Sequence, residues 1–173
     1  MTEKTPHGRP QPVVVGVHPG QPAHVLRTAA AFALRFGAEL LCAYANPGRF
    51  PVSEDASGTV ATGSIDPDFE DQAEESFDPA LAARLAALLA DTGLAWRPVL
   101  LAGDAATALG HLADTVDAAM IIVGTHQRSP GSSLHDFFAR SVATQLAHKQ
   151  SRPVVVVPAH AHEATPLIPG TRG

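Results

Sequence analysis

Gly124 closes the apolar run Met120 to Val123, and Arg152-Pro153 opens a second apolar run, Val154 to Val157. Between them lies HQRSPGSSLHDFFARSVATQLAHKQS, a loop followed by an amphipathic helical pattern. A glycine at the end of an apolar strand allows a sharp turn at the carboxyl edge of a sheet. The helix that follows then aims its first backbone N–H groups at an anion. The chemistry this spacing suits is the holding of a phosphate.

Nothing in the chain adds a catalytic set to that turn. No nucleophile elbow, no Cys/His pair and no glutamate with a complementary acid can be assembled from the spacing, so the expectation is a protein that is not an enzyme. Asp104 and Asp136 read as helix-cap or first-turn acids, and Ser132 and Ser133 as N-caps. Nine histidines are present. His18 and His126 each follow a strand end, where they read either as solvated loop residues or as a pair that titrates near neutral pH. No helix carries the spaced third ligand that a metal needs, so no metal site is expected.

The elements that must position this turn alternate short β-branched runs with alanine-rich helical patterns, which means a parallel sheet. Strand one is Val13 to Val17, apolar on both faces and therefore central. The breaker string HPGQP precedes a helix from Ala23 to Phe36, with Pro22 suited to its first turn and Gly37 as its stop. Strand two runs from Glu39 to Ala45. A second helix starts after Asp78-Pro79, carries Leu81, Leu85, Leu88 and Leu89 on one stripe and stops at Gly93. Strand three is Trp96 to Ala102, a third helix is capped near Asp104, strand four is Met120 to Val123 and strand five Val154 to Val157. Right-handed crossovers make this an α/β, doubly wound layer with helices on both faces.

Composition narrows the function classes. The chain has 173 residues, 45% of them hydrophobic and 17% charged, which suits one globular domain over 12–158 with short disordered tails at 1–11 and 159–173. A formal net charge of −5 argues against general nucleic-acid binding. Apolar runs fall far short of the roughly 20 residues a bilayer needs, and MTEKTPHGRPQP holds no apolar leader core, so no membrane is expected and the cytoplasm is the expected location. Cys42, the single cysteine, lies within ELLCAYA and reads as a small buried hydrophobe.

Residues 46–78 break the pattern. They are rich in Pro, Gly, Ser and acid, with nine acidic residues against Arg49 alone, so they carry a net −8 and the rest of the chain about +3. The expectation is a flexible acidic insert: a solvated loop, or a segment that docks protein partners or lies over the basic stretch around Arg128, Arg140, Lys149 and Arg152.

Taken together, VVVGV with its breaker loop, LRTAAAFALRFGAELLCAYA, GDAATAL, DAAMIIVGTH and SVATQLAHKQSRPVVVVP resemble a universal stress protein of the UspA type. The resemblance covers all but the tails and the insert. It implies a five-stranded parallel sheet in the order 3-2-1-4-5, a Rossmann-like fold of the adenine nucleotide alpha hydrolase kind, and a homodimer in which Val154, Val155, Val156 and Val157 pair with their copies across a two-fold axis. It also implies an adenine-nucleotide site, ATP in many members, on Val17, His18, Ala43, Gly124, His126, Gln127, Arg140, Ser141 and Val142.

That site departs from the family's pattern at each of its features. His18 stands where the nucleotide-binding pattern has an aspartate. Of three glycines only Gly124 survives, the others falling on Gln127 and Arg140, and the loop is about three residues longer, with Pro130 and Gly131 in it. Side chains there crowd a phosphate path that glycines leave open, while Arg128 and Arg140 supply charge that a phosphate would accept. Two readings follow: a stress-response dimeric binding or regulatory module with weakened or absent ATP binding, or an ATP- or AMP-binding stress sensor with a remodelled phosphate loop.

Overall fold

The computed structural model describes residues 10–58, 60–64, 77–125 and 141–158. Among these residues seven strands and four α-helices follow in chain order. They are β1 (Val13–Gly16), α1 (Ala23–Phe36), β2 (Leu40–Asn46), β3 (Arg49–Glu54), β4 (Val60–Ser64), α2 (Pro79–Leu89), β5 (Trp96–Ala102), α3 (Ala105–Thr115), β6 (Met120–Gly124), α4 (Val142–Lys149) and β7 (Val154–Val157). Five strands form one parallel sheet in the order β5-β2-β1-β6-β7. Without the two insert strands this is the expected 3-2-1-4-5.

Strand residues alternate between faces, and because β1 is apolar throughout it feeds both. Val13, Val15, Leu40 and Cys42 face α1 and α2, where Val25, Leu26, Ala29, Leu81 and Leu85 close over them. Val14, Leu41, Ala43 and Ile121 face α3 and α4, under Leu109, Leu112, Ala113 and Leu146. Each fully buried aliphatic side chain contributes roughly 1.5–3 kcal/mol, so these two clusters hold the carboxyl ends of β1, β2 and β6 in register. Cys42 is one of them, buried as expected.

The helix boundaries have local causes. Pro22 sits at the N-cap of α1 (φ −59°, ψ 135°), and Gly37 stops the helix at φ 60° while its N–H reaches the Leu34 carbonyl at 3.1 Å; a Cβ there would be strained. Asp78 caps α2 by accepting from Ala80 N at 2.8 Å, with Pro79 first in the helix. Of the expected stripe, Leu81, Leu85 and Leu89 are buried and Leu88 is half-buried. A 3₁₀ turn, Ala90–Thr92, carries the chain to Gly93.

The insert corrects one expectation. Read as patternless loop, it instead holds β3 and β4, paired antiparallel with a bulge between Pro51 and Ser53. The hairpin packs beside the edge strand β5, in a sheet of its own. Its tip is a local turn: Gly58 N reaches Asp55 O at 3.0 Å and Ser57 N reaches Asp55 Oδ1 at 2.8 Å. Arg97 at the start of β5 donates to Ser57 O at 2.7 Å. Where the chain returns, Phe77 meets Tyr44 edge to face, with ring centroids 6.3 Å apart.

Arg152 also differs from its expected place in a basic surface. Its Nε donates to the Ala118 carbonyl at 2.8 Å, and its guanidinium pairs with Asp114 and Asp117. It ties β7 to the start of β6, at the amino edge of the sheet. Arg128 and Arg140 lie outside the described residues.

Candidate functional site

In a doubly wound sheet, ligands sit outside the carboxyl ends of the strands, where the strand order reverses. Here that point lies between β1 and β6, whose ends are Gly16 and Gly124. The register matches Gly16 with Ala43 of β2, and Val17 N donates to Ala43 O at 2.8 Å, so β1 stops beside Ala43 while β2 runs on to Asn46. Val17 and Ala43 are buried, one under α1 and α2, the other under α3 and α4. They form the floor of the crevice.

His18 follows directly. Its Nδ1 lies 2.8 Å from the Pro19 carbonyl, which fixes that nitrogen as the donor; a neutral ring bonded this way keeps its lone pair on Nε2. The group at the end of β1 is thus an imidazole turned back on its own loop, where a carboxylate would reach outward for ligand hydroxyls. Gln21 N bonds the His18 carbonyl at 3.2 Å, so His18 to Gln21 is a closed turn.

Ser141 and Val142 start α4. The Ser141 hydroxyl accepts from Thr144 N at 3.1 Å and lies 2.9 Å from Thr144 Oγ1, so it acts as the helix N-cap. Val142 packs on the α3 side of the core. On the other flank, His24 Nε2 donates to the Pro158 carbonyl at 2.6 Å, and Thr125 N reaches Val157 O at 2.9 Å. These two bonds fasten the start of α1 to Pro158, just past β7, and the end of β6 to Val157, its last residue.

Of the nine site residues expected from the sequence, the fold brings Val17, His18, Ala43 and Gly124 to one crevice, with Ser141 and Val142 at the head of the helix after it. His126, Gln127 and Arg140 lie outside the described residues. One residue at the crevice was not anticipated. Gln21 is only 6% exposed, and its Nε2 donates to Gly16 O at 3.0 Å. Its own carbonyl accepts from Arg84 Nη2 of α2. It sits inside HPGQP, a string whose only sequence message is a turn.

Beside it a shallow groove runs between the β1–α1 turn and α2, lined by His18, Gln21, Pro22, Leu81, Arg84 and Leu88. Its cavity volume is about 10 Å³, room for one water molecule. Among the described residues no three His, Cys, Asp or Glu side chains gather as a metal ion would require. No helix of the described residues is long and apolar enough to cross a membrane.

An α/β sheet wound both ways, with its crevice at the β1/β6 switch point, defines a Rossmann-like class of fold. Within it, residues 10–158 match the model of the universal stress protein family, and the chain belongs to that family. Solved structures agree on the fold. A universal stress protein from Archaeoglobus fulgidus is 24% identical, with a TM-score of 0.60 over 84% of this chain and 97% of that one. A universal stress protein in complex with cAMP is 19% identical, TM-score 0.59, over 88% and 100%. A universal stress protein from Archaeoglobus fulgidus in complex with dAMP is 22% identical, TM-score 0.53, over 84% and 96%. No curated protein matches the chain.

Proposed function

We propose that this chain is a dimeric binding and regulatory module of the stress response in which adenine-nucleotide binding is weakened. The observation that carries this reading is that two polar groups expected to face a nucleotide already bond within the chain: His18 to Pro19 O and Ser141 to Thr144. A ligand must compete with those bonds, and each net hydrogen bond forgone costs about 0.5–1.5 kcal/mol. The edge strand β7, with Val156 45% exposed, supports self-pairing across a two-fold axis. Acidic residues of the 46–78 segment are the second contact surface, for protein partners. No catalytic step is assigned.

A second reading, an adenine-nucleotide sensor, is favoured by one specific finding. Structures that share this fold over most of its length were solved with cAMP and with dAMP, and Gly124 and Ser141 persist here. Isothermal titration with ATP, AMP and cAMP, with and without magnesium, separates the two. Dissociation constants weaker than about 100 μM are expected. Saturable binding well below that value would establish the sensor. With excess ATP, phosphate release should stay at the buffer rate, and turnover that scales with protein concentration would reverse the assignment of no enzyme.

A further inference from the structure

Among the described residues, Gln21 is the one polar side chain that the crevice buries without any help from the family pattern. Its amide lies over both strand ends at once. Nε2 donates to the Gly16 carbonyl on β1, and a Cβ built on Gly124 of β6 would stand 3.2 Å from the same nitrogen and 3.2 Å from Val25 Cγ2. Real Cβ atoms seldom approach so closely. The one surviving glycine of the phosphate-turn pattern is thus filled by this protein's own side chains, and its missing Cβ is used to seat Gln21 and Val25.

Three bonds hold Gln21 there. The turn bond to the His18 carbonyl fixes its backbone, Arg84 from α2 clamps its carbonyl, and the side chain closes on Gly16. Pro22 follows at the start of α1 and stiffens the exit from the turn. A side chain so anchored is ordered before any ligand arrives.

We infer that Gln21 is a built-in plug of the switch-point crevice, and that an adenine nucleotide enters only when its amide leaves the Gly16 carbonyl. This rests on the weakened-binding reading above and names its cause. The apparent dissociation constant equals the intrinsic one divided by the open fraction. One net hydrogen bond and its packing set that fraction near a tenth, so about tenfold of affinity is withheld. Opening requires a side-chain rotation, with the main chain of the turn still held by Arg84.

The test titrates full-length wild type and Gln21→Ala with ATP and with cAMP by calorimetry, after circular dichroism and a thermal melt show that the variant folds. Gln21→Ser replaces it if it does not. The expected result is weak binding by wild type and affinity about tenfold higher in the variant. In ¹⁵N-labelled wild type, the Gln21 side-chain amide pair should move toward free-amide shifts as cAMP is added. Equal binding by the two proteins, absence of binding in both, or weaker binding in the variant would each overturn the plug. If wild type binds well below about 100 μM, the weakened-binding reading fails. The plug still stands in that case if the variant binds tighter again, and falls if it does not.

Discussion

Single residues here show how burial and capping turn into measurable chemistry. Cys42 lies under α1 and α2 with no exposed surface, and burial pushes its thiol up from 9.0 to about 12. In the folded protein it should fail to react with Ellman's reagent near pH 8, and one thiol should appear on denaturation. The sign for stability follows: a thiol that stays protonated when folded but ionises when unfolded makes the fold lose stability as pH climbs from 9.0 toward 12. Asp104 works in the opposite sense. The Thr107 N–H, then the Thr107 hydroxyl, hold its carboxyl below the usual 3.8, so its contribution is present above that value and fades as pH falls through the lowered one. Asp104→Ala should cost about 1 kcal/mol, or about 3 °C in melting temperature, with Asn restoring most of it. Urea unfolding should show wild type and Asp104→Ala converging in acid.

At the scale of elements, the hairpin depends on Gly58. It is buried at φ +78°, and a Cβ added to it would overlap Leu112 of α3 and press on Val116. Gly58→Ala should therefore lift the β3–β4 tip from α3. A melting temperature lower by about 3–8 °C is expected, from 1–2 kcal/mol or more of strain and lost packing, together with faster proteolysis between residues 49 and 64. An unchanged digestion pattern would show that the tip contributes nothing to docking. The hairpin was also the part of the fold hardest to read from sequence. VVVG, LLCAYAN, MIIVG and VVVV are apolar or nearly so along their length, so each reads as a strand without help from its neighbours. RFPVSE and VATGS mix polar residues, Pro51 and Gly63, and have meaning only once β5 and α3 lie beside them. The crevice divides the same way. Gly124 was legible because a strand end announces it, and Ser141 through the family resemblance alone; its role as the cap was not read, since Ser132 and Ser133 were the caps the sequence offered. Gln21 was not, since its role comes from Gly16, Gly124 and Arg84, residues far apart in the chain.

Taken whole, the molecule treats the two edges of its sheet differently. On one side, β5 carries Pro98, which offers no N–H to a ladder, and has the hairpin packed along it. On the other, β7 shows Val156 to solvent between Pro153 and Pro158. If β7 is the contact of the proposed dimer, Val156→Lys should shift light-scattering mass at micromolar concentration from two chains to one, with the circular dichroism spectrum unchanged. A wild-type monomer under those conditions would remove the dimer.

The hairpin beside β5 then sets a limit on assembly. Two chains joined back to back at β7 would make one continuous ten-stranded layer whose two outer ends are both the obstructed kind. In that proposed dimer no third chain would find a ladder to extend, so assembly would stop at two and would not grow into a fibre. Unseating the hairpin would do more than loosen a loop: it would turn a particle of fixed size into one with open ends, and slow, concentration-dependent growth in scattering is how that would first be seen.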